Sequence, residues 1–174
     1  VDVGYVEQNR AAIHVDDDYC ATCENDGLSW QVDAFQVIQN ALNKADANLR
    51  DLRGTHYTVG VAPGVYTENL VVPSHVRLVG SGAEESIIAA DTRQPAVTFD
   101  GVVASEIAGF TVEVRPDAVA ISVTNASNAI TVTRNLIETD NAGSHAAVAF
   151  TDRATGLVTF NTLVDLHHGG DDTG

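Results

Sequence analysis

The sequence has no methionine, one lysine (Lys44) and two cysteines. A chain without methionine, not even an initiator, points to a processed product or an excised piece, and a removed export signal would account for it. It has no apolar run of about 18 residues, so no membrane-spanning helix and no membrane insertion is expected. Aromatic residues make up only 6% of the chain. The apolar mass is Val, Ile, Leu and Ala, which favours many short strands over a bundle built on large side chains. Cations are scarce: 9 Lys and Arg against 24 Asp and Glu, a net charge of −15. Such a surface repels nucleic acid, whose phosphates need cationic partners. It attracts cations and suits a salt- or mineral-rich habitat, the plainer alternative being an acidic extracellular protein.

What is present is enough for one domain, residues 1–174, with 44% apolar residues to build a core. Cys20 and Cys23 form a C-x-x-C pair followed by Glu24, not by the His of a haem attachment. A zinc site would need two further ligands, and His14 alone does not complete one. A local disulfide formed in an oxidising compartment is expected, with a free thiol pair as the alternative. Around the pair runs a polar loop, Asp16 to Gln31. Its Asp16, Asp17, Asp18 and Asp26 are closely spaced hard oxygen donors that suit calcium, without the EF-hand spacing.

A strand is expected at 11–15 and one helix at 33–45. Asp33 and Gln36 read as its capping box. Phe35, Ile38, Leu42 and Ala45 make an apolar stripe at helical spacing, with Val37 and Ala41 beside it. From Tyr57 onward the pattern is short strands and tight turns: Tyr57–Ala62, Asn69–Val72, Val76–Val79 and Ile87–Ala89.

An internal repeat decides the architecture. Ala96-Val97-Thr98-Phe99, Ala120-Ile121-Ser122-Val123 and Ala147-Val148-Ala149-Phe150 match at steps of 24 and 27 residues. Ile107-x-x-Phe110-x-Val112, Val132-x-x-Asn135-x-Ile137 and Val158-x-x-Asn161-x-Leu163 match at steps of 25 and 26. One such unit cannot bury its apolar face alone, but a stack of them shares a continuous core. Val97, Ile121, Val148, Val112, Ile137 and Leu163 are therefore expected inside. Thr111, Glu113, Thr131, Thr133 and Thr159 are expected outside by alternation. Asn135 and Asn161 should stack as a turn ladder. The expected fold is an all-β, right-handed parallel β-helix of five or six rungs over 57–166. Residues 1–56 supply a strand, the acidic loop and a capping helix, and 167–174 a polar tail. A sandwich lacks such an in-phase repeat, and propeller blades are longer.

The motifs in their order resemble the pectin-lyase-like superfamily. They are Asp26-Gly27-Leu28-Ser29-Trp30, then Ala34-Phe35-Gln36-Val37-Ile38-Gln39-Asn40-Ala41-Leu42, then Val61-Ala62-Pro63-Gly64-Val65-Tyr66-Thr67-Glu68, then Val76-Arg77-Leu78-Val79-Gly80-Ser81-Gly82. The likeness covers most of 11–166. It implies that the helix caps the first rung and that the Pro-Gly-x-Tyr-x-Glu turn, Glu68 included, is scaffold. It does not select an activity, because that superfamily spans lyases, esterases, hydrolases, epimerases, phage spikes and inert surface proteins.

No catalytic constellation is legible. A lyase of this kind needs a cationic base beside carboxylate-bound calcium. Lys44 falls on the helix, and no carboxylate cluster accompanies Arg77, Arg115, Arg134 or Arg153 at rung spacing. Glu113 and Glu138, with Asp165 offset, form an acidic ladder that reads as a solvated face or a cation site. The esterase set of aspartates and glutamines is missing, Gln94 being the only glutamine after the helix. Asp91 and Asp100 as a hydrolytic pair sit at turn positions. Asn125-Ala126-Ser127 fits a glycosylation sequon. His167 and His168 with Asp171 and Asp172 could hold a transition metal, or be a polar tail.

The repeat stops near Leu166 without a capping helix. That leaves three readings: a fragment of a longer β-helix, stacking of another subunit, or a tail that folds back as a lid. The expected function is a non-catalytic extracellular or cell-surface module that self-assembles head to tail through the open end. The alternatives are a calcium-assisted module, most naturally a lyase if an enzyme, acting on or binding acidic polysaccharide, and a phage or viral fibre segment.

Overall fold

The computed structural model describes residues 12–49, 56–90, 92–115, 118–139 and 146–165. Expectations that rest on Asp91, on the Asp165 side chain or on the tail with His167, His168, Asp171 and Asp172 lie outside the described residues.

The chain is a parallel β-solenoid. The first turn consists of β3 (Tyr57–Val61), β4 (Gly64–Tyr66) and β5 (Leu70–Val71). β6 (Val76–Gly80), β7 (Ser86–Ala89) and β8 (Val97–Asp100) make the second. The third is β9 (Glu106–Ala108), β10 (Thr111–Glu113) and β11 (Ile121–Thr124). β12 (Ile130–Thr133), β13 (Leu136–Thr139) and β14 (Val148–Phe150) make the fourth. β15 (Gly156–Thr159) and β16 (Thr162–Asp165) begin another. Equivalent strands pair in parallel to give sheets of seven, five and four strands. The described residues make four full turns and the start of a fifth, against the five or six expected over 57–166. On the N-terminal side β1 (Ala12–Val15) and β2 (Ala34–Phe35) extend the seven-stranded sheet beyond β3.

Register explains why the repeat has its spacing. Ile13, Val59, Leu78, Ile107, Val132 and Val158 form one column through the seven-stranded sheet. Tyr66, Ile88, Val112, Ile137 and Leu163 form another. Leu70, Val97, Ile121 and Val148 form the third. All are buried except the last member of each. Each buried Val, Leu or Ile contributes about 1.5–3 kcal/mol, so the columns carry the fold.

The second repeated motif spans two strands and the corner between them. Gly109 turns that corner with φ 76, and a side chain on Gly80 would strike the Gly109 carbonyl. Glycine meets both demands, a left-handed φ and a close backbone approach.

Four expectations need correction. The helix α1 runs Ile38–Leu49, not 33–45, and Phe35 is a buried residue of β2. Asp33 does not cap it; its carboxylate accepts the Ser29 N–H at 2.6 Å. Leu163 is 62% exposed and Val148 only half-buried, because no described turn lies beyond them. Thr111 and Thr133 are buried although they face outward. The turn before β7 folds over Thr111, whose Oγ1 accepts the Glu84 N–H at 3.0 Å, and Thr133 Oγ1 accepts the Thr159 hydroxyl at 3.3 Å.

Candidate functional site

The N-terminal end is built around α1. Ile38, Ala41, Leu42 and Ala45 are fully buried against β1, β3 and β5, which closes the first turn. The cap comes from far away in sequence. Glu68 Oε1 accepts the Ile38 N–H at 2.8 Å and Oε2 the Gln39 N–H at 2.9 Å. A carboxylate there satisfies two orphan donors and complements the helix dipole. Glu68 thus has a structural part as the cap of α1.

Beside the helix lies the acidic loop. Cys20 and Cys23 form a disulfide. Asn25 braces it, accepting the Cys20 N–H and donating to the Cys20 carbonyl, both at 2.9 Å. Asp16, Asp17 and Asp18 each offer a carboxylate oxygen within 4.8 Å of the others. Asp16 Oδ1 also accepts the Asp18 N–H at 3.0 Å. Three exposed or half-exposed carboxylates with room for water suit a hard cation such as calcium. Asp26 is not in that group, and its carboxylate accepts the Tyr19 hydroxyl at 3.1 Å. Burial and the neighbouring Asp17 and Asp16 charges raise the Tyr66 phenol well above its ordinary value. Its hydroxyl donates to the Ala62 carbonyl at 3.1 Å. Burial, then the Asp26 hydrogen bond, raises Tyr19.

On the solenoid wall the expected ladders are present. Asn135 Nδ2 donates to Asn161 Oδ1 at 3.1 Å and to the Ile107 carbonyl at 3.2 Å, while its Oδ1 accepts the Phe110 N–H at 3.1 Å. Asn161 Nδ2 donates to the Val132 carbonyl at 2.8 Å. Glu113 and Glu138 sit directly opposite on β10 and β13, flanked by Ala89 and Val164. Asn125 donates to Asp100, and Ser127 is buried, so the sequon's side chains are engaged in the turn.

One ladder escaped the sequence. Arg77 Nε donates to Glu106 Oε2 at 2.7 Å, and Arg134 approaches the other oxygen at 3.8 Å. An in-phase step from β6 to β9 was its only signal. The ladder borders a concavity of about 390 Å³ that also includes His56. A second, about 330 Å³, lies over His14, Tyr19 and Gly60. A third, about 620 Å³, lies between Trp30 and the outer face of α1, with Phe35, Asn40 and Lys44 in its lining. Among the described residues, no helix is long and apolar enough to cross a membrane.

Fold and site define an acidic parallel β-solenoid with a helix-closed N-terminal end and a disulfide-braced acidic loop. No protein-family model, curated protein or solved structure matches this chain.

Proposed function

We propose that the chain is a non-catalytic module of the extracellular space or cell surface, which self-associates through its final described turn. The observation that carries this is the state of that turn. Phe150, Val158 and Leu163 are exposed there, although Val123, Val132 and Ile137 in the same columns are buried one turn earlier, and exposed Leu157 and Phe160 add to the apolar surface beside them. β14, β15 and β16 also end their sheets, so each presents an edge among the described residues. An apolar patch with unpaired edges is a template for association. The disulfide supports an oxidising compartment. Ordered motifs on a parallel solenoid support kinship with the pectin-lyase-like superfamily.

The lyase reading has less support, since Arg77 is held by Glu106. Sedimentation of the isolated chain over a wide concentration range tests the proposal. Concentration-dependent association is expected. A strict monomer overturns it, and a fixed trimer favours a fibre segment. Cleavage of a polyuronate, with or without calcium, overturns the non-catalytic reading.

A further inference from the structure

Resting on that association, we infer that the groove between Trp30 and α1 is the seat for a second copy's final turn, which makes the contact head to tail. The two surfaces lie at opposite ends of the stack and match in chemistry. The donor end is largely apolar: the strands Val148–Phe150, Gly156–Thr159 and Thr162–Asp165 contain one charged residue, Asp165, and the turn between the first two adds the opposite charges of Asp152 and Arg153. Its most prominent feature is Phe160, 86% exposed with φ 54 at the corner between β15 and β16. Earlier turns fill that corner with Gly109 and Arg134. A bulky aromatic held left-handed in water is strained and gains nothing in a single copy.

The acceptor groove has the half-exposed Trp30 on one side to meet an aromatic guest, with the edge of the largely buried Phe35 at its floor. Its walls carry Gln31, Asn40 and Asn43. A carboxamide presents the same donor and acceptor pair as a peptide group, so these side chains can satisfy an open strand edge. The Trp30 indole N–H, the Asn40 amide and the Lys44 ammonium have no partner among the described residues. Charge fits as well. Two copies at −15 repel, so contact is least costly where a charge-poor end meets the chain's only lysine. A tail-to-tail pair would leave this groove unused and stop at a dimer. Head-to-tail contact is heterologous and keeps growing.

Two double variants, each altering exposed or half-exposed side chains, test this. Phe160→Ser with Leu163→Ser removes the donor, and Asn40→Arg with Lys44→Glu removes the acceptor. Far-UV circular dichroism verifies that both keep the fold. In sedimentation the wild type is expected to grow beyond a dimer. Each variant alone should associate at least about tenfold more weakly, a loss of about 1.4 kcal/mol. An equimolar mixture retains one good donor and one good acceptor, so it should form a 1:1 dimer and stop. If the acceptor variant associates like wild type, or the mixture forms no dimer, the groove assignment falls while association through the final turn stands. A wild type that is monomeric throughout overturns both.

Discussion

The two ends of the solenoid hold the same kinds of side chain in opposite states. At the N-terminal end Leu42 lies fully buried over the first turn. At the other end Leu163 is aligned with buried Ile137, yet it is 62% exposed. Val158 repeats the contrast with Val132. Burial in a solenoid is therefore a property of the next layer more than of the residue. An inward position is inside only when something lies beyond it.

The sharpest way to break this comparison is to shorten both leucines. Leu42→Ala removes a fully buried side chain from a closed end and is expected to cost about 2–5 kcal/mol. Leu163→Ala should cost no more than about 0.5 kcal/mol in dilute solution. Urea unfolding of both variants checks the pair. Equal losses would mean that the final turn is covered in the monomer. The asparagine ladder offers the next test. Asn135→Ala leaves the buried Phe110 N–H without its acceptor and should cost about 1–3 kcal/mol. Asn161→Ala, one turn nearer the open end, should cost clearly less, because that turn is partly hydrated. A larger loss at Asn161 in the same urea titration would reverse the proposed gradient of order.

The solenoid was legible because its evidence is repeated. Val97, Ile121 and Val148 recur in one column, and each copy confirms the others. The ends were harder to read because they break the repeat. Asp33 and Gln36 offered a local capping box, but the true cap, Glu68, lies 30 residues from Ile38. Only the folded first turn brings them together, and no local pattern encodes that. Asp26 reads by spacing with Asp16, Asp17 and Asp18, and the fold groups those three while Asp26 accepts a hydrogen bond from a tyrosine seven residues away. Leu163 was placed correctly in its column, yet its exposure depends on what lies beyond it.

Glu68 also gives the third prediction, a measure of how firmly the closed end is closed. Glu68→Gln keeps one acceptor oxygen but loses the charge and the second acceptor. A loss of about 1 kcal/mol is expected. Amide exchange should show the first turn of α1 opening before the sheets. Uniform exchange across α1 and β3 would mean that the cap adds nothing local.

The smallest expected effect tests whether the contrast between ends extends to the solenoid wall. Glu106 meets Arg77 on the side of the closed end and Arg134 on the side of the open end. The first pair is short and its side chains are 25% and 18% exposed, whereas the Arg134 side chain is 61% exposed at 3.8 Å. A partly desolvated, charge-assisted pair is worth about 1 kcal/mol, and an exposed loose one nearly nothing. Arg77→Gln should therefore lower stability by about 1 kcal/mol in low salt, and Arg134→Gln by less than about 0.5 kcal/mol. Screening acts more strongly on the exposed partner, so about 1 M salt should erase the Arg134 effect and leave most of the Arg77 effect. Should salt abolish both equally, the Arg77 pair is as solvated as its neighbour, and the wall is no firmer near the closed end than near the open one.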